Sequence, residues 1–242
     1  MNKRTFYTLL WLLWFVCGLS ALGLLFGALG VFWSAHYQKF LLFLLTVISG
    51  YAASYLQISR LKKPKWQRRQ FRANLAVFWL IYLLILLDFT LVDESLGRNF
   101  FHVFQWDHRA YSDFFQKNTN LIPFATIRLF VHAYRRGLLS LIPVAENLLG
   151  NLLAFMPMAF FLPCLYPGCN GKNKIVGIAF LFSIVIEMLQ FLLMTGSPDV
   201  DDVLLNAGGV LLCYLILQNR KIGRRLSKLT FGVWKTVESK DQ

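Results

Sequence analysis

Acidic side chains are scarce in this chain: 12 aspartates and glutamates stand against 25 lysines and arginines. Charged residues of both signs make up only 15% of its 242 residues, where a soluble domain carries about 25%. That shortage excludes an ordinary soluble domain. The four cysteines have no paired spacing, so a disulfide framework is excluded. The C-x4-C of Cys164 and Cys169 lacks the second pair that a zinc site would use. No G-x-S-x-G, H-E-x-x-H or P-loop pattern occurs, and neither do internal repeats or low-complexity tracts.

Apolar residues fill the space. They form 57% of the chain, and mean hydropathy is +0.52. Several apolar runs approach the roughly 20 residues that a helix needs to cross a bilayer core. Six spans are expected, at 6–33, 40–58, 73–92, 147–165, 175–195 and 202–218. The first follows Lys3 and Arg4 in the manner of a signal peptide. Its apolar run exceeds the roughly 7–15 residues of a signal core, so it is read as a retained helix. Only helices and closed barrels satisfy their backbone in lipid. The expected fold is therefore all-α: a polytopic membrane bundle of six transmembrane helices.

Orientation follows from the cations. Lys3 and Arg4, the segment 60–72, Lys172 and Lys174, and the tail beyond 218 together hold 18 of the 25. An even number of spans puts these four segments on one side, which the positive-inside rule makes cytoplasmic. Both termini are then inside, and the connection 93–146 is outside. The net charge of +13 reports this topology and an attraction to anionic lipid. The basic runs carry no nucleic-acid-binding motif, so no nucleic-acid partner is expected.

Helical spacing groups the remaining polar residues. Asp202, Asn206, Gly209 and Cys213 share one face of the last span, Ser183, Glu187 and Gln190 one face of the fifth, and Asn147 and Asn151 one face of the fourth. A carboxylate such as Glu187 facing lipid costs several kcal/mol, so the three stripes are expected to converge in an outward-facing cavity. The alternative is hydrogen-bonded glue between helices. Asp199, Asp201 and Asp202 could hold a hard cation through oxygen ligands. The preferred reading is that Asp199 and Asp202 cap the last helix, where acids complement its dipole. His36, His102, His108 and His132 lack the tight spacing of metal ligands. No metal and no cofactor are expected.

Between 124 and 140, Arg128, His132, Arg135 and Arg136 share one helical face, and Ile127, Phe130, Val131, Tyr134 and Leu138 fill the other. This suits an interfacial amphipathic helix. Its arginines either anchor it at the headgroups or form a phosphate-recognising rim.

The segments "NLIPFATI" (120–127), "ENLLGNLLAFMPMAFFLP" (146–163), "IEMLQFLL" (186–193) and "DVDDVLLNAGG" (199–209) together resemble the VanZ family. The resemblance covers about 118–218. Many members carry an arginine shortly before the aspartate pair, whereas this chain has Ser197 and Pro198. The resemblance implies a cell-envelope membrane protein and low-level resistance to teicoplanin and related lipoglycopeptides. It also implies that Asn120, Pro123, Phe124, Asn147, Asn151, Pro157, Glu187, Gln190, Asp199, Asp202 and Asn206 occupy the family's motif positions.

Four segments are expected: a three-helix membrane segment (1–92), an extracytoplasmic connection with the interfacial helix (93–146), the motif-bearing helices (147–218) and a basic cytoplasmic tail (219–242). Two function classes lead. One is a bacterial plasma-membrane binder in which Asn147, Asn151, Glu187, Gln190, Asp199, Asp202 and Asn206 line a pocket. Its ligand is a lipid-linked wall component or the antibiotic, with membrane lipid around it. The other is an enzyme modifying such a lipid, with Glu187 as acid or base. A proton-coupled transporter is the third reading.

Overall fold

The computed structural model describes residues 2–28, 36–92 and 119–235, with backbone alone at 28, 36 and 37. Residues 93–118 of the expected connection 93–146, with His102 and His108, lie outside the described residues, as do 236–242. The described elements are α1 (Lys3–Ala28), α2 (His36–Ser59), α3 (Pro64–Leu87), α4 (Ala125–Arg135), α5 (Leu141–Ala154), α6 (Met158–Leu165), α7 (Lys172–Leu192), α8 (Val200–Leu217) and α9 (Arg220–Leu229). Among the described residues there is no strand, only an isolated bridge. Six stretches are long and apolar enough to cross a membrane: Lys3–Gly27, Gln38–Ser59, Pro64–Val92, Leu141–Leu165, Lys172–Leu192 and Val200–Leu217. The fold is the expected all-α bundle.

Two boundaries differ from the sequence expectation for identifiable reasons. The third helix starts at Pro64, nine positions before the span placed at 73–92, because proline at the first turn removes an N–H that would have no partner. Lys65, Arg68, Arg69 and Arg72 therefore lie on a helix. The fourth span is two helices. Pro157 has no N–H to offer the carbonyl of Leu153, which accepts from Met156 N at 3.2 Å instead. The Pro157 carbonyl then receives Phe160 N and Phe161 N, and α6 starts afresh.

The chain forms two compact units, Met1–Asp88 with Arg224–Gln242, and Phe89–Gly223. In the first, α1 and α2 meet through small and hydroxyl residues. Thr46 Oγ1 donates to Ser20 Oγ at 2.8 Å, and Ala53 is fully buried. A Cβ added at Gly50 would stand 2.4 Å from the Phe78 ring and 2.9 Å from Cys17 Sγ. Such close approach is how helices associate where lipid removes any hydrophobic drive.

The basic tail belongs to this unit as a packed element. Tyr51 Oη donates to Leu229 O at 3.1 Å, and Arg68 Nε to Phe231 O at 3.3 Å. The Phe231 ring lies 5.2 Å from Tyr55 and 6.0 Å from Phe71. Trp234 is buried. The Arg60 guanidinium sits 4.0 Å over the Phe6 ring. Three of the four basic segments thus gather at one end of this unit. At the other end Lys39 Nζ and Asp88 Oδ2 pair at 2.8 Å, both nearly buried. Removing either partner of such a pair leaves an uncompensated charge in an apolar setting.

In the second unit, α8 packs on α5 and α7. A Cβ built on Gly209 would stand 1.8 Å from the carbonyl oxygen of Leu152. Only glycine permits that approach of two helix backbones.

Candidate functional site

Helix α8 begins at a hub of carboxylates. Asp199 is its N-cap, in extended conformation, and Oδ1 accepts from Asp201 N at 2.8 Å. The same oxygen receives Asn120 Nδ2 at 2.9 Å, and Oδ2 receives the Thr126 hydroxyl. Asn120 also pairs by backbone with this segment: its N–H reaches Pro198 O at 2.9 Å, and its carbonyl accepts from Val200 N at 3.1 Å.

Asp201 is fully buried and points to a different helix. Its Oδ1 accepts the N–H of Phe124, and its Oδ2 that of Ile127 at 3.0 Å. These are N–H groups at the start of α4, which has no side-chain cap of its own. Asp201 therefore caps α4 from across the fold. It also favours the left-handed turn at Phe124 (φ 65°), a conformation that costs a non-glycine residue about 1–2 kcal/mol.

The fifth-span stripe meets the same hub. After α7 the chain turns back at Met194, whose φ is 53°, so Asp199 N donates to Glu187 Oε2 at 3.0 Å. Glu187 lies five residues from the end of α7, about 7.5 Å, and is nearly buried. One turn deeper, Asn206 Nδ2 donates to Ser183 Oγ at 2.8 Å. Asn151 Nδ2 donates to Asp202 Oδ1 at 2.5 Å, joining α5 to α8. Gln190 is turned elsewhere: its Nε2 donates to Thr90 O at 2.8 Å, in the π-helical turn Asp88–Val92.

Of the seven residues expected to share a pocket, Asn151 with Asp202 and Glu187 with Asp199 are bonded pairs, and Asn206 stands one turn below. Asn147 is half-buried, one turn before Asn151, and its Oδ1 has no hydrogen-bond donor among the described residues. Asn206 Oδ1 and Thr195 Oγ1 are likewise buried without a hydrogen-bond partner among the described residues. Such an atom costs about 1–3 kcal/mol if nothing satisfies it.

Helix α4 has no buried residue. Arg128 is committed to its own turn, donating from Nε to Phe124 O at 3.1 Å and from Nη2 to Pro123 O at 3.4 Å. Arg135 and Arg136 stay exposed, with Leu129, Val131 and Tyr134 exposed on other parts of the helix. Sequence reasoning did not identify Thr126, Thr90, Thr195, the α4-capping role of Asp201, or the Lys39–Asp88 pair. Thr126 stood within the quoted segment 120–127. Thr90, Asp201 and the Lys39–Asp88 pair carry no local pattern, because their partners lie far off in the chain.

Six apolar helices with charged and amide residues buried among them define a multi-pass integral membrane protein. The chain belongs to the VanZ/LLP1 family, whose model matches residues 75–221. That match starts in α3, well before the motif segments at 118–218. No curated protein and no solved structure matches the chain.

Proposed function

We propose that this chain is a bacterial plasma-membrane protein of the cell envelope, with both termini in the cytoplasm. Its polar cluster at the start of α8 opens outward and binds the headgroup of a lipid-linked wall component, lowering the action of teicoplanin-type lipoglycopeptides. Glu187, Asp202, Asn147, Asn151 and Asn206 contact the ligand. Asp199 and Gln190 hold the walls through their bonds to protein groups. Arg135 and Arg136 meet phosphate at the membrane surface.

One observation carries this reading. Two nearly buried or half-buried carboxylates, Glu187 and Asp202, come from adjacent helices, and the amide oxygens of Asn147 and Asn206 near them have no donor among the described residues. Intramembrane acids are functional candidates by default. Open acceptors suit a ligand rich in hydroxyl and N–H groups.

The test expresses Glu187→Gln and Asp202→Asn in a sensitive bacterial host and measures teicoplanin susceptibility at matched protein levels. Both should abolish protection, since each keeps the side chain's shape and removes its charge. Full protection from both variants would sink the pocket. Mass comparison of wall precursors and lipids, with and without the protein, sorts the chemistry. Unchanged masses agree with a binder, whereas a gained or lost covalent group would replace it with an enzyme acting through Glu187.

A further inference from the structure

The first unit has a second site, built on charge of one sign. Asp88 is the only acid among its described residues, and it is paired with Lys39. The other described cations of the unit, from Lys3 to Lys235, stand at or near the opposite end, where none of the unit's described residues is an acid. The shortage of acceptors reaches the interior: the buried Nε of Arg72 has no hydrogen-bond partner among the described residues.

An apolar groove of about 390 Å³ opens beside this charge. Leu9 and Leu13 of α1, Tyr51 and Tyr55 of α2, and Leu229 of α9 line it. Leu9 and Leu13 stand about 9 and 15 Å along α1 from Lys3, so the groove runs from the charged end into the hydrocarbon depth. Its mouth is defined by contacts already described. Arg60 covers Phe6, one turn before Leu9, Tyr51 holds the carbonyl of Leu229, and Lys228 is the neighbour of Leu229.

We propose that this groove binds an anionic phospholipid, with an acyl chain between α1 and α2 and the phosphate among Arg4, Arg60 and Lys228. The groove selects a chain, because its walls are apolar and face the bilayer. The rim selects negative charge, because cations crowd it and the described residues of the unit place no acid there. Arginine adds geometry to charge, since its planar fork matches phosphate oxygens. The site is independent of the polar cluster at α8, and it is occupied whether or not that cluster binds a wall precursor.

The experiment is native mass spectrometry of the delipidated full chain in detergent. The chain is titrated with phosphatidylglycerol or with phosphatidylcholine of the same acyl chains. Phosphatidylglycerol should be retained at least several-fold more strongly. Arg60→Gln and Lys228→Gln should each weaken it by roughly fivefold and leave phosphatidylcholine unchanged. Ala52 also lines the groove, so Ala52→Phe fills it and should weaken both lipids. Equal retention of the two lipids by the wild type would overturn the proposal. So would competition by glycerol phosphate, which has no acyl chain, as effective as that by the whole lipid. These last two comparisons need no variant, and so they decide the matter even where a substitution fails to fold.

Discussion

At the scale of single residues, Gly209 shows how closely α8 is held. Gly209 lets the Leu152 carbonyl approach to where a Cβ would be. A backbone atom cannot swing aside as a side chain can, so Gly209→Ala must push α5 from α8. The cost should be at least about 1–3 kcal/mol. Thermal unfolding in detergent checks it: Gly209→Ala should melt well below wild type, while Gly208→Ala, with open space at its Cβ, should melt close to it. Equal melting of the two would mean that the backbones separate freely. Residue identity at these positions was readable from spacing, because i, i+4 and i+7 positions must share a face. The partners were not. Nothing local to Asp201 indicates that it receives the N–H groups of Phe124 and Ile127, and a cap in the same helix is the commoner use of an acid at that place.

At the scale of elements, α4 depends on α8. Its first turn has two N–H groups bonded to Asp201, and none of its residues is buried. Such a helix has little packing to hold it, and caps of this kind contribute about 0.5–2 kcal/mol. Asp201→Ala should therefore loosen α4 while α7 stays in place. Amide hydrogen exchange across 124–135 should quicken severalfold, and exchange in 175–190 should not. Unchanged exchange in α4 would remove the cap from the account. The amphipathic pattern of α4 was legible because its arginines recur with helical period. The break between α5 and α6 was also implicit in Pro157, though a continuous apolar run of 147–165 masked it. The start of α3 at Pro64 was obscured by the cations that follow, since charge density there reads as loop until the proline is taken as a first-turn residue.

At the scale of the whole molecule, the uneven cations predict an orientation that labelling can read. In a background without Cys17, Cys164, Cys169 and Cys213, Ala110→Cys should react with an impermeant thiol reagent added from outside, and Lys240→Cys only after the cells are opened. Reaction of residue 110 from the cytoplasm alone would reverse the orientation. Six spans were countable from hydropathy, because lipid leaves the backbone so few solutions. The closing of the first unit by its distant C-terminal segment was invisible, since pairings across the whole chain leave no periodic trace. That closure bears on how the protein is made. Tyr51 and the Leu229 carbonyl it holds are separated by 178 positions, a stretch a ribosome adds in roughly 10–35 s. Through most of that interval α1, α2 and α3 exist without Thr230, Val233 and Trp234, which are buried in the finished unit. A chain cut short between residues 92 and 229 carries α1, α2 and α3 but cannot finish the unit they form. A chain without the segment 229–234 leaves that end of the first unit uncovered, a surface that quality-control proteases recognise.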